Sequence, residues 1–161
     1  MTKKRILIIT SVLVVFITIG VFISRMPTLP EDPSKEELVS FFNENRNVFD
    51  KIANYLEGIE GEVSFDKRDG SDIESIGRIY TKNGVKPFRI GNEIKDEVEK
   101  LLYKVGFQAI YEEDHCIYFM KTGGFQWHKS LIYSKYDNTP FLNRTRDFEK
   151  LDKGWYYYYG E

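Results

Sequence analysis

The sequence predicts an α+β domain: two amphipathic helices packed on one face of an antiparallel sheet of about four to six strands, preceded by a single transmembrane helix. Three observations predict it. Ile6 to Ile23 is an uncharged and almost wholly aliphatic run, two later stretches repeat their apolar residues at helical spacing, and after Gly106 the apolar period changes to two.

Fourteen of the 18 residues from Ile6 to Ile23 are Ile, Leu, Val or Phe. Each such side chain favours insertion by roughly 0.3–0.6 kcal/mol near the bilayer centre. As a helix the run is about 27 Å long, close to a hydrocarbon core of ~30 Å. Its many Ile and Val residues favour a strand in water, but a lone strand in lipid leaves its backbone groups unpaired. Lys3, Lys4 and Arg5 precede the run, whereas Arg25 stands alone after it and is soon followed by Glu31, Asp32, Glu36 and Glu37. That asymmetry puts the N-terminus in the cytoplasm and the remainder outside. A cleaved signal is the competing reading, but its core is usually shorter, and the nearest small-x-small triplet, Thr18-Ile19-Gly20, lies inside the run. The expected layout is a basic start and anchor over 1–25, a proline-rich spacer over 26–33 and an extracytoplasmic domain over 34–161. The first partner is then the lipid bilayer, through Ile6 to Ile23.

Beyond the anchor the chain carries 19 basic against 25 acidic residues, a net of −6, which disfavours a nucleic-acid partner. The 128 residues from Ser34 onward hold all 11 Tyr, both Trp and ten of the 12 Phe, enough for one domain with a real core. A single cysteine, Cys116, excludes an intramolecular disulfide, so packing must supply the stability.

Pro27, Pro30 and Pro33 recur at the three-residue period of a polyproline II spacer. Ser34 with Glu37 forms a capping box, and Leu38, Phe41, Phe42, Val48, Phe49, Ile52, Tyr55 and Leu56 make the stripe of one amphipathic helix, with Gly58 just past its end. From Glu62 to Ile90 the signal is weaker. Strand-like pieces at Val63–Phe65, Ile73–Tyr80 and Val85–Ile90 are separated by the Asp66–Asp72 loop and by Lys82-Asn83-Gly84, and Pro87 marks an edge. The acidic loop lacks calcium-loop spacing. A second helix starts near Asn92 and buries Ile94, Val98, Leu101, Leu102 and Val105 before Gly106. Hairpin strands follow from Phe107 through Ala109 to Tyr111 and over His115–Met120, with Glu112-Glu113-Asp114 between them. Gly123-Gly124 is the next turn, then Leu131 and Tyr133 alternate with His128, Ser130 and Ser134. Asp137–Pro140 is a turn, Arg144–Leu151 a short helix, and Gly154–Tyr159 a last strand with aromatics on both faces.

Chemistry-bearing residues are sparse. Cys116 with His128 or His115 is the nucleophile–base pair available to a hydrolase, and a pair among the acidic residues is the other route; no spacing singles one out. Asp114, His115, Cys116 and His128 are ligand types that zinc accepts, but neighbours on a strand point to opposite faces, so no metal or cofactor is expected. Asn143-Arg144-Thr145 fits the glycosylation pattern. Trp155, Tyr156, Tyr157, Tyr158 and Tyr159 either form a binding surface for protein or sugar or complete the core.

Glu37–Phe42, Leu101–Phe107, Gly124–Ser134 and the closing Gly154-Trp155-Tyr156-Tyr157-Tyr158 together resemble a group of short uncharacterised bacterial proteins. The resemblance implies a role similar to that of small immunity proteins, which bind and neutralise a toxin. This chain departs from that group in carrying a membrane anchor. The expected function is a membrane-anchored, non-enzymatic interaction domain outside the cytoplasm whose partner is an envelope or toxin-like protein. The alternative is an anchored envelope hydrolase using Cys116 and His128 or an acidic pair.

Overall fold

Ser34 begins the first helix as its sequence requires. Its hydroxyl accepts from the Glu37 N–H at 3.2 Å, and the Glu37 carboxylate accepts from the Ser34 N–H at 2.8 Å, closing the capping box of α1 (Lys35–Glu44). The computed structural model describes residues 29–67, 77–122, 127–136 and 145–160. The Ile6–Ile23 span, the Gly123-Gly124 and Asp137–Pro140 turns, most of the acidic loop and Asn143-Arg144 lie outside the described residues. Among those described, no helix is long and apolar enough to cross a membrane.

The expected single helix is two. Asn45 interrupts it: its backbone N–H donates to the Phe41 and Phe42 carbonyls, its side-chain amide donates to Phe41 O at 2.8 Å, and α2 (Arg46–Leu56) restarts directly after it. An asparagine whose side chain competes for backbone groups favours such a break. The next helix, α3 (Asn92–Glu99), buries Ile94 and Val98, then widens into a π turn over Lys100–Val105 that buries Leu101, Leu102 and Val105. Gly91 rather than Asn92 occupies the capping position. Gly106, left-handed at φ 85°, ends the turn.

Eight strands follow or interleave: β1 (Glu62–Asp66), β2 (Gly77–Thr81), β3 (Gly84–Pro87), β4 (Ala109–Glu113), β5 (Cys116–Thr122), β6 (His128–Ser134), β7 (Thr145–Asp152) and β8 (Trp155–Gly160). They form one antiparallel sheet in the order β3-β2-β1-β4-β5-β6-β8-β7, wider than the four to six strands expected. Of the residues read as a short helix around Arg144–Leu151, those described, 145–151, belong instead to the edge strand β7. Its pairing with β8 decides the conformation, because Phe148 then stacks on Tyr156 with ring centroids 5.2 Å apart.

Both sheet edges are blunted. On β3, Phe88 N–H donates back to Gly77 O, so alternation points the Pro87 position outward, where proline has no N–H to offer. On β7 the register slips between Thr145 and Asp147 and again between Lys150 and Asp152, and its side chains are mostly charged.

One sheet face meets all three helices. Phe65, Ile110, Phe119, Leu131 and Trp155 from the sheet are buried against Phe42, Phe49, Leu101 and Leu102 in a single core. The other face carries a second buried cluster of Cys116, Tyr118, Ile132, Tyr156 and Tyr158. The strand register gives the sheet two ends. Leu29 packs on the core, Pro33 is buried, and Lys129, at the start of β6, donates to Asp32 at 2.7 Å and to Pro33 O at 2.6 Å. The described part of the proline-rich segment therefore lies on the domain at a proximal end. The β2–β3, β4–β5 and β7–β8 turns lie at the opposite, distal end.

Candidate functional site

The register separates the residues that a nucleophilic enzyme would need. Cys116 pairs with Ser134, six residues along β6 from His128, so at ~3.3 Å per residue the two side chains stand on the order of 20 Å apart. Burial pushes the Cys116 thiol up, and the Asp114 and Glu112 charges add to this, although a hydrogen bond with Ser134 works the other way. Burial alone pushes His128 down; its ring meets Tyr158 edge-on at 5.5 Å. His115 sits in the β4–β5 turn at φ 62°, against the ring of Tyr136 at 5.9 Å. Among the described residues no group of three or more His, Cys, Asp or Glu could hold a metal ion.

The aromatic closing strand is interior, hydrogen-bonded to β6 on one side and β7 on the other. Trp155, Tyr156, Tyr157 and Tyr158 are all buried, two on each face, and they complete the two clusters rather than presenting a surface. Burial raises the Tyr157 hydroxyl to about 12. Only Tyr159 is half-buried, at the proximal end beside Trp127, over whose ring the Arg146 guanidinium lies at 3.7 Å.

Two other places present functional chemistry. The first is the distal rim. Of the four exposed large hydrophobic side chains among the described residues, Tyr80, Val85 and Tyr136 lie there, Tyr80 and Val85 as a cross-strand pair and Tyr136 at 61% exposure just after β6; the fourth, Tyr103, is on the π turn. β2 and β6 are four strand spacings apart, so the rim spans roughly 20 Å, a breadth suited to a protein contact. In the turn between them, Asp114 and His115 both adopt positive φ, at 49° and 62°. A two-residue hairpin turn of type I′ requires this, and the usual Asn-Gly would tolerate it more easily.

The second is a proximal cleft of about 680 Å³. Its lining includes Glu31, Asp66, Lys67, Lys104, Gln108 and Lys121. Lys121 alternates onto the helix-packed face of β5 and is only 2% exposed. Its ammonium donates to Val105 O at 2.9 Å and Gly106 O at 3.1 Å, at the end of the π turn. Burial lowers its pKa, opposed by Glu31 and reinforced by Lys67.

Neither place stands out in the sequence. The rim joins residues 80, 85, 115 and 136 through register alone. Lys121 was legible only as a charge breaking an apolar alternation, Ile117 and Phe119 before it on the same face. Comparison with protein-family models, curated proteins and solved structures returns no match for this chain.

Proposed function

We propose that the chain is a membrane-anchored, non-enzymatic binding domain that works outside the cytoplasm, held by Ile6–Ile23, and that its partner is an envelope or toxin-like protein met at the distal rim. The observation that carries this reading is the concentration of exposed Tyr80, Val85 and Tyr136 at the sheet end opposite the seat of residues 29–34. Tyrosines of this kind supply contact area with a polar tip and little entropy loss, which is why they recur as interface anchors. The positive-inside bias supports the orientation, and the resemblance to immunity-like proteins supports a protein partner.

The test has two parts. With a C-terminal tag on intact cells, external protease should remove the tag; protection would reverse the orientation and sink the reading. A photo-crosslinking residue in place of Tyr80 or Tyr136 should then capture one common protein, with none captured from position 103. Crosslinks from 103 alone, or none at all, would end the rim assignment.

A further inference from the structure

We infer that the proximal cleft is an oxyanion site that takes a phosphate group, with Lys121 at its floor and Lys67 and Lys104 at its mouth. Lys121 is the deepest charge in the described structure, and both of its acceptors, the Val105 and Gly106 carbonyls, are neutral. Among the described residues no carboxylate forms an ion pair with it, and Glu31 acts on it only through space. Such burial is costly, and the partial negative charge at a helix C-terminus offsets only part of it. An ammonium has three donors, and two are spent on the carbonyls. A phosphate oxygen supplies a third acceptor and an opposite charge.

The surroundings favour this ligand. Lys67 and Lys104 are exposed and line the same cleft. Against them stand Glu31 and Asp66, and one Asp66 oxygen is taken by the Ser64 hydroxyl at 3.2 Å. Among the described residues the lining holds three lysines against two carboxylates, within a chain whose net charge is −2. Its volume of 680 Å³ accommodates a headgroup or a small phosphate ester.

Position points to a source. Leu29 and Glu31 line the cleft, and only residues 24–28 separate it from the expected anchor, at most about 18 Å of extended chain. Phospholipid headgroups are therefore within reach. This step rests on the anchor reading, whereas the phosphate site itself does not, and neither depends on the distal rim.

The experiment uses the full chain with its lysines labelled biosynthetically with 13C and 15N and otherwise unmodified, followed by NMR. In maltoside micelles, glycerol phosphate should shift the Lys121 resonance and raise its titration midpoint, and Lys67→Ala with Lys104→Ala should weaken that binding about tenfold. The unfolding midpoint of this variant should match that of the parent, and Lys82→Ala with Lys86→Ala should bind as the parent does. In phosphatidylglycerol nanodiscs without added phosphate, the same shift identifies a lipid headgroup as the source; a shift with glycerol phosphate alone identifies a soluble phosphate. No shift in either setting, a shift unaffected by the Lys67 and Lys104 substitutions, or an equal shift with acetate would overturn the proposal and leave Lys121 as a helix cap only.

Discussion

Trp155 Nε1 donates a 2.9 Å hydrogen bond to Asp50 Oδ1, tying the most enclosed ring of β8 to α2. The same oxygen accepts from Arg46 Nε at 2.9 Å, and Arg46 reaches on to Asp152 at 3.1 Å while its guanidinium lies 5.3 Å from the centre of the Trp155 ring. Trp155 itself sits among Phe42, Tyr133 and Phe119, with centroids 4.8, 5.1 and 5.7 Å away. The helix layer and the last interior strand are thus joined by one polar contact inside an aromatic cluster.

Asp50→Ala should destabilise the fold by about 1–3 kcal/mol, because it leaves a buried indole N–H without an acceptor. Asp50→Asn keeps an acceptor oxygen and should lose less. Urea denaturation of both variants measures the difference. Equal losses would mean that the hydrogen bond is not what holds the ring.

Gly106 makes a second expectation. At φ 85° an added Cβ is strained, by about 1–2 kcal/mol for a residue forced left-handed, and it would lie 3.1 Å from Lys121 Nζ. Gly106→Ala should therefore lower the unfolding midpoint clearly. Gly58→Ala, where the added Cβ meets only the Tyr55 carbonyl at 3.4 Å, should hardly move it.

What the sequence revealed and what it hid have a common physical basis. The capping box at Ser34, the stripe from Ile94 to Val105 and the hairpin around Asp114 were legible because each rests on contacts a few residues apart. The break at Asn45 left a trace, the five polar residues between Phe42 and Val48 in the apolar stripe, but helical period alone does not separate a break from a polar turn. β7 was hidden because an edge strand needs little burial of its own; Phe148 and its charged neighbours take their conformation from β8. The separation of Cys116 from His128 and the gathering of Tyr80, Val85 and Tyr136 are consequences of register, which no local pattern encodes.

His128 supplies a pH expectation. Burial holds its folded pKa below the usual value of about 6.5. Between the two values the unfolded chain binds more protons than the folded one, so stability rises with pH there. The contribution is whole above about pH 6.5 and is lost as pH falls toward the folded pKa. His128→Gln should flatten this part of the stability profile measured by urea unfolding from about pH 7.5 to about pH 5. A variant that loses stability as steeply as the parent would place the responsible group elsewhere.

Cys116 carries the last expectation, and it bears on whether thiol chemistry belongs to this fold. The side chain is 5% exposed on an interior strand, and burial with two nearby carboxylates pushes the thiol up. A thiol kept protonated and enclosed is a packing residue rather than a nucleophile. Folded protein should therefore react with a thiol reagent near neutral pH only as fast as β5 opens, and completely once urea unfolds it. Cys116→Ala should leave the crosslinks from positions 80 and 136 unchanged, because the distal rim makes no use of the sulfur. Rapid modification of the folded protein would show a reachable thiolate, which the register and burial of β5 forbid.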